Sequence, residues 1–389
     1  MEITHEKACH CALNRIFGFE PRIALALISH LGGASEVFAL SPGELDSLLG
    51  PHSKYRGTIT SSAVEMAYRE LESLQSQGIQ FIGYNEDGYP YPLKECEDAP
   101  AGLYIRSTSS PKEIWNKRRM ISIIGTRDLS PYGKEWCERI VSGLAEIPNK
   151  DRPVIVSGLA LGVDICAHSA ALRHGLPTIG VMATGPDTIY PARHRGIGEE
   201  ICRTPGSALI TDYPPGTAPL AIHFLRRNRI IAGLSEATIL VESKIKGGGM
   251  MTARLADSYN RSVFALPGRV DDIRSQGCNN LIRSRTAIPI ISIQDFLKEL
   301  GISKPRRSSR TEDFVDLDRL YKGSMSDDRI SQMGSILLAI RKERGITVED
   351  IAAQTGLEYT RVSQLLGMLE TDGIISRDLL QRCFINFSR

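Results

Sequence analysis

Apolar residues fall into two rhythms along the 389 residues of this chain. In the middle, short runs of aliphatic residues recur: ISIIG (121–125), VIVSG (154–158), TIGVMAT (178–184), ALITDYP (208–214), ATILVES (237–243) and SVFALPG (262–268). Each is too short for a core helix and is bounded by Gly, Pro or polar residues, which predicts strands buried on both faces. Helical segments alternate with them. One begins near Tyr132 behind Thr126, Arg127 and Ser130, a second follows the glycine turn of LALGVDICAHSAALRHG, and a third is MMTARLADSY. Strands alternating with helices predict an α/β fold with an open, mainly parallel, doubly wound sheet whose ligands gather at the carboxyl ends of its strands.

The flanks follow the other rhythm. From Cys11 to Leu49 the pattern predicts short helices joined by Gly-containing turns, with apolar positions at Ile23, Leu27, Leu31, Val37 and Phe38, and a longer helix follows over 61–77. The stretch HLGGASEVFALSPGEL resembles a helix-hairpin-helix or SAM-like unit, and its acidic character favours a structural or interaction role over DNA contact. GIQFIGYNEDGYPYPLKECEDAPAGLYIRS then reads as two strands around a Pro-punctuated connection. Residues 301–325 lack apolar periodicity and read as a flexible linker. Beyond them ISQMGSILLAIRKERG, TVEDIAAQTG with Thr347 as N-cap, and YTRVSQLLGMLETDG predict three helices, and IISRDLLQRCFINF a hairpin, together a small winged helix. The expected domains are 1–105, 106–300, the linker 301–325, and 326–389.

Charge divides unevenly over these segments. The whole chain carries +2, but residues 112–300 hold 25 Lys and Arg against 18 Asp and Glu, while residues 1–111 hold 8 against 14. A polyanion is therefore expected to meet the middle segment. The eight cysteines are scattered, without the density of a disulfide scaffold, and read as reduced thiols. His5, Cys9, His10 and Cys11 cluster, yet no second half-site follows and no metal site is assigned. No apolar run reaches bilayer length and MEITHEKACH lacks a secretory pattern, so the expected location is the cytoplasm.

The densest cationic feature is FLRRNRIIAGLS (224–235), in which Arg226, Arg227, Asn228 and Arg229 precede a buried apolar segment. Arginines fixed to a buried segment make a rigid anion receptor, because the guanidinium fork matches phosphate oxygens and keeps its charge. Adjacent helical positions diverge, so Arg227 and Arg229 do not share one direction, and Asn228 or Arg229 is available to pin the pocket walls instead. Three glycine-bearing turns follow strands: Gly125-Thr126-Arg127, the turn from Ser157 and Gly158 to Gly162, and Gly247-Gly248-Gly249. Each lets backbone N–H groups approach a phosphate at a helix N-terminus. Neither a P-loop nor GxGxxG occurs, and no cofactor is assigned. Asp164 and His168, four residues apart, together with Glu242, would be the catalytic groups of a rival nucleotide-processing enzyme; the plainer reading has Asp164 pinning the glycine turn and His168 bonding nearby backbone.

SIIGTRDLSPYG (122–133), VSGLALGVDICAHSAAL (156–172), TIGVMATGPDTIYPARH (178–194), FLRRNRIIAGLS, GGGMMTA (247–253) and VFALPGRVDDIRSQGCNNLIR (263–283) together resemble the DprA/Smf family of DNA-processing proteins. The resemblance implies an extended Rossmann-like core and a bacterial cytoplasmic homodimer without catalytic activity. It also implies binding and protection of single-stranded DNA and help in loading the RecA recombinase during natural transformation. By motif it directs Gly125, Thr126, Arg127, Ser157, Gly158, Phe224, Arg226, Arg227, Asn228, Arg229, Gly248, Gly249 and Thr252 toward DNA. Lys244 or Lys246 would stand in for a lysine that relatives carry just upstream of His223. The chain departs from the family in having Leu225-Arg226-Arg227 where a proline commonly precedes RNR, and Gly247-Gly248-Gly249 in place of an SGS turn, which leaves backbone N–H groups or Thr252 to donate there. Phe224 is the leading base-stacking candidate, followed by Tyr190 and Tyr213. The terminal winged helix, with one arginine against one glutamate and one aspartate in YTRVSQLLGMLETDG, is expected to bind protein rather than duplex.

Overall fold

The computed structural model describes residues 3–115, 119–148, 151–302, 317–321, 325–343, 345–378 and 381–385. They form two compact units, Met1–Lys304 and Pro305–Arg389. Five helices open the first unit: α1 (His5–Ile16), α2 (Pro21–Leu31), α3 (Ala34–Ala39), α4 (Pro42–Leu49) and α5 (Ser61–Ser76). They enclose a core around Leu13, Phe17, Ile28 and Leu71. Strands β1 (Ile79–Gly83) and β2 (Gly102–Arg106) follow, with α6 (Tyr91–Lys94) between them and α7 (Pro111–Trp115) after them.

The six expected strands are all present as β3 (Met120–Ile124), β4 (Val154–Ser157), β5 (Thr178–Val181), β6 (Ala208–Thr211), β7 (Ala237–Leu240) and β8 (Ser262–Ala265). They are fully buried apart from Ser262, as continuous apolar runs require in a sheet covered on both faces. Each ends earlier than its apolar run. Gly125 and Gly158, counted as strand residues in the sequence, have already left the sheet and belong to the turns.

Helices α8 (Pro131–Ala145), α9 (Val163–Arg173), α10 (Arg195–Arg203), α11 (Ala221–Leu234), α12 (Gly248–Ser258), α13 (Gln276–Arg283) and α14 (Ile293–Glu299) complete the unit, with a short edge strand β9 (Ile288–Pro289). The strand order is β1-β2-β6-β5-β4-β3-β7-β8-β9. All pairs from β6 to β9 are parallel. The sheet crosses the boundary expected near residue 105: β1 and β2 pair antiparallel, and Tyr104 to Arg106 pair antiparallel with β6. The N-terminal helices and the α/β core consequently share one compact unit. One face of the sheet packs on residues of α11, α12 and α13, such as Ile230, Ala253 and Leu281. The other packs on α8, α9 and α14 through Ile140, Ala167 and Phe296. The chain builds outward from β3 in one direction to β6, then returns to lay β7 on its other side, so the topological switch lies between β3 and β7.

Most of the expected linker lies outside the described residues. Its later part is not irregular: α15 (Leu317–Tyr321) is helical, with Leu317 and Tyr321 buried in the second unit's core. That unit continues with α16 (Asp327–Lys342), α17 (Val348–Thr355), α18 (Tyr359–Thr371) and a hairpin of β10 (Ile375–Arg377) with β11 (Cys383–Ile385). Thr347 caps α17, its hydroxyl accepting from the Asp350 N–H at 3.3 Å. Helices α16, α17 and α18 with the two-stranded wing make the second unit a winged helix, with α15 packed into its core. Among the described residues no helix is long and apolar enough to cross a membrane.

Candidate nucleic-acid interface

The turns after β3 and β7 converge on a cavity of about 260 Å³ at the switch point, with α11 as its third wall. Its lining brings together Gly125, Thr126 and Arg127 from the first turn, and Lys244, Gly248, Gly249 and Thr252 from the second turn and α12. Phe224, Arg227 and Asn228 enter from α11. Ten of the fourteen residues singled out in the sequence thus meet around one space.

Close backbone contact assembles the floor. The Thr126 N–H donates to the Glu242 carbonyl at 2.7 Å, and the Val163 N–H to the Thr126 carbonyl at 3.1 Å, tying the first turn to β7's exit and to α9. A Cβ on Gly249 would sit 3.2 Å from Gly125 Cα, so only glycines let these two turns approach so closely. The Thr126 hydroxyl accepts from the Asp128 N–H at 3.1 Å and fixes the turn from within. The Asp128 carboxylate pairs with Arg274 at 2.9 Å, which compensates the negative charge beside Arg127. Arg127 itself is exposed. At the second turn, Gly247 is the N-cap of α12 without a side-chain cap, so first-turn N–H groups of Gly248 and Gly249 are presented at the cavity with the positive end of the helix dipole.

Helix α11 sorts its arginines by direction. Arg227 is 3% exposed; its Nη1 donates to the Gly158 carbonyl at 2.7 Å and also to the Val181 carbonyl. A Cβ on Gly158 would stand 2.6 Å from that guanidinium, so this glycine admits the arginine. Burial lowers the Arg227 pKa to about 10, against the favourable charge of Asp164. Arg229 is buried as well, paired with Asp212 at 2.5 Å and donating to the Asp98 carbonyl. Arg226 turns away from the cavity: its Nη2 donates to the Gly18 carbonyl at 2.7 Å and its guanidinium lies 4.4 Å from the Phe19 ring centre. Ser157 is fully buried, donating to the Ile123 carbonyl at 2.6 Å. Of the residues expected at the anion site, Ser157, Gly158, Arg226 and Arg229 do not line this cavity: buried carbonyls and Asp212 engage Ser157, Arg227 and Arg229, and Arg226 points instead to the Gly18 carbonyl and the Phe19 ring. Pinning falls to Arg227 and Arg229, while Asn228 stays half-buried at the wall with its Oδ1 accepting from Arg227 Nε at 3.3 Å.

The aromatic candidates separate too. Phe224 is half-buried, with Arg127 at 5.3 Å and Arg227 at 5.9 Å from its ring centre and Tyr190 edge-on at 5.7 Å. Tyr190 is exposed, whereas Tyr213 is buried against His223 at 4.5 Å and presents no stacking face.

The three groups proposed for an enzyme are held apart in function. Glu242 is buried and caps α8, accepting from the Ser130 N–H at 3.0 Å and from its hydroxyl. His168 is wholly buried and does not line the cavity; burial holds its pKa down at about 3, so it is neutral. Its Nδ1 lies 2.7 Å from the Thr178 hydroxyl, which itself donates to Ile155, so Nδ1 carries the proton. Asp164 does line the cavity, but its carboxylate accepts from the Ala160 N–H at 3.3 Å and faces Arg227, and burial raises its pKa. Ser243, buried at the exit of β7, is a lining residue the sequence reading missed; its only signal was its position at the end of a strand.

Residues 80–301 match the family model described as DNA recombination-mediator protein A, and residues 334–376 a winged helix-turn-helix DNA-binding model. A protein Smf from Synechocystis is 29% identical over 96% of this chain and 97% of its own length. The DNA processing protein DprA of Streptococcus pneumoniae is 37% identical over 55% of this chain and 72% of its own. Its crystal structure superposes with a TM-score of 0.63 at 30% identity, covering 77% of this chain and 99% of that one. A structure of DNA processing protein A from Helicobacter pylori, described for its single-stranded DNA binding mode, reaches a TM-score of 0.50 at 33% identity over 57% of this chain and 96% of its own.

Proposed function

The chain belongs to the DNA recombination-mediator protein A family, and from that premise we propose that it binds single-stranded DNA in the cavity between the β3 and β7 turns. The observation that carries the reading is the arrangement of an exposed Arg127 above Phe224, facing the uncapped N-terminus of α12 and Lys244. Cation, helix-end N–H groups and a ring face suit a phosphate with its neighbouring base, and they carry no pattern for reading sequence. Arg127 and Lys244 contact phosphate from the rim, Gly248 and Gly249 donate from backbone, Phe224 stacks a base, and Arg227 holds the wall. The Helicobacter relative's single-stranded DNA binding mode supports this choice of ligand.

The finer reading is a cytoplasmic, non-enzymatic homodimer that protects incoming DNA in natural transformation and helps load the RecA recombinase; the family's description as a recombination mediator supports it. The capping work of Glu242 and the complete burial of His168 away from the cavity favour binding over catalysis. The winged helix is read as a protein-contacting module. Arg361, the one arginine of α18, donates to Gln332 at 2.9 Å rather than standing free for phosphate.

A gel-shift comparison of single strand, duplex and mononucleotide, run with wild type and Arg127→Ala, tests the reading. Preference for single strand that collapses in the variant is expected. Equal affinity for duplex, or turnover of a nucleoside triphosphate that depends on Asp164, would overturn it.

A further inference from the structure

Beside the cavity lies a second, larger groove of about 490 Å³, between the α1–α2 turn and helices α11 and α12. Its walls are Phe19, Pro21 and Ile23 on one side and Leu225, Arg226 and Met251 on the other. Three features point to an occupant. Phe19 leaves 52% of its surface exposed, and one ring face already carries the Arg226 guanidinium at 4.4 Å. Arg226 donates to a neutral carbonyl, that of Gly18, and the carboxylate that attracts it, Glu20, is itself hydrogen-bonded by Lys54 at 2.8 Å. Leu225 lines both the cavity and the groove, and α12 supplies Gly248 and Thr252 to one and Met251 and Leu255 to the other. The two spaces thus lie on either side of one ridge with an exposed apolar crest at Leu225.

Resting on the proposed single-strand binding, we infer that this groove is a second nucleotide subsite, in which a base of the same strand stacks on Phe19 while Arg226 meets its phosphate. An arginine-backed aromatic ring beside an apolar floor is the platform that unpaired bases use, and it tolerates any sequence. Of the two carboxylates at the groove, Glu20 is paired with Lys54 at 2.8 Å, and Asp98, which accepts from the Tyr259 hydroxyl at 2.7 Å, shares the lining with the cations Arg22, Arg226 and Arg229. The helical N-terminal segment thereby extends the binding path of the α/β core.

Binding of oligothymidylates from about 4 to about 16 nucleotides, the usual span of such sites, tests the inference. Wild type should gain affinity stepwise once the oligomer is long enough to cross the ridge. Phe19→Ala should lose that step, about tenfold for one stacked base, while matching wild type on the shortest oligomers; Phe19→Tyr should keep it. Phe19→Trp, an exposed replacement that the fold accommodates, should show fluorescence quenched by long oligomers only. If Arg127→Ala weakens binding at every length but Phe19→Ala changes none, the groove inference falls and the cavity reading stands. If Arg127→Ala is without effect, the cavity reading itself falls. If Phe19→Ala leaves binding intact and abolishes self-association in sedimentation, the groove is a contact between copies and the inference is wrong.

Discussion

Arg127 and Arg227 approach the same Phe224 ring, one from the turn after β3 and the other from α11. The turn holds its arginine in solvent, with the neighbouring Asp128 engaged by Arg274. The helix sinks its arginine beneath the ring, where two carbonyls bind it. Charge left at the surface is available to a ligand, whereas charge satisfied by buried partners shapes the wall that positions it. Sequence alone does not separate these roles, since the carbonyls that bury Arg227, at Gly158 and Val181, lie far from it in the chain.

Stability separates the two arginines most strongly. Arg229→Ala strands Asp212 in the interior and should cost about 3–5 kcal/mol in urea unfolding. Arg227→Ala should fall in the same class, leaving the Gly158 and Val181 carbonyls unsatisfied. Arg127→Ala should stay within about 0.5 kcal/mol of wild type, as exposed substitutions do.

Acid probes the layer behind Arg227. His168 is a base whose folded pKa, about 3, lies below its unfolded value, held down by burial and by the charges of Arg227 and His194. Its stabilising contribution is complete above about pH 6.5 and is lost as pH falls from there towards 3, by up to about 4 kcal/mol. Asp164, whose pKa is raised, works in the opposite direction over part of that range. The clean readout is the difference in thermal stability between wild type and His168→Asn: the variant should show the shallower loss between pH 6 and pH 4.

Phe224→Ala sharpens the binding side. Loss of one stacked base should weaken single-strand affinity by about 1–3 kcal/mol, measured by fluorescence anisotropy, with a smaller change in salt dependence than Arg127→Ala produces.

Much of the fold was legible because its strands are continuous apolar runs, which can only be buried on two sides. The convergence of Gly125, Arg127, Gly248 and Thr252 was legible too, since doubly wound topology carries strand ends to one edge. Strands β1 and β2 extend that sheet because β2 pairs with β6, a contact about a hundred residues away that no local pattern encodes. The burial of Arg227 and Arg229 was hidden for a related reason. Their partners at Gly158, Val181, Asp98 and Asp212 come from four separate segments, so RRNR reads as one exposed cluster until the chain closes around it. Phe19 gave no signal because its importance comes from Arg226, brought to it across two hundred residues.

If an exposed Arg127 meets a phosphate of single-stranded DNA while buried Arg227 supports the wall, the salt dependence of binding must report it. Removing one phosphate contact on a single strand should make the slope of log affinity against log salt shallower by about 0.7. Arg127→Ala should show that change together with weaker binding and unaltered stability. An Arg127→Ala protein that keeps both the wild-type affinity and the wild-type slope would contradict the account.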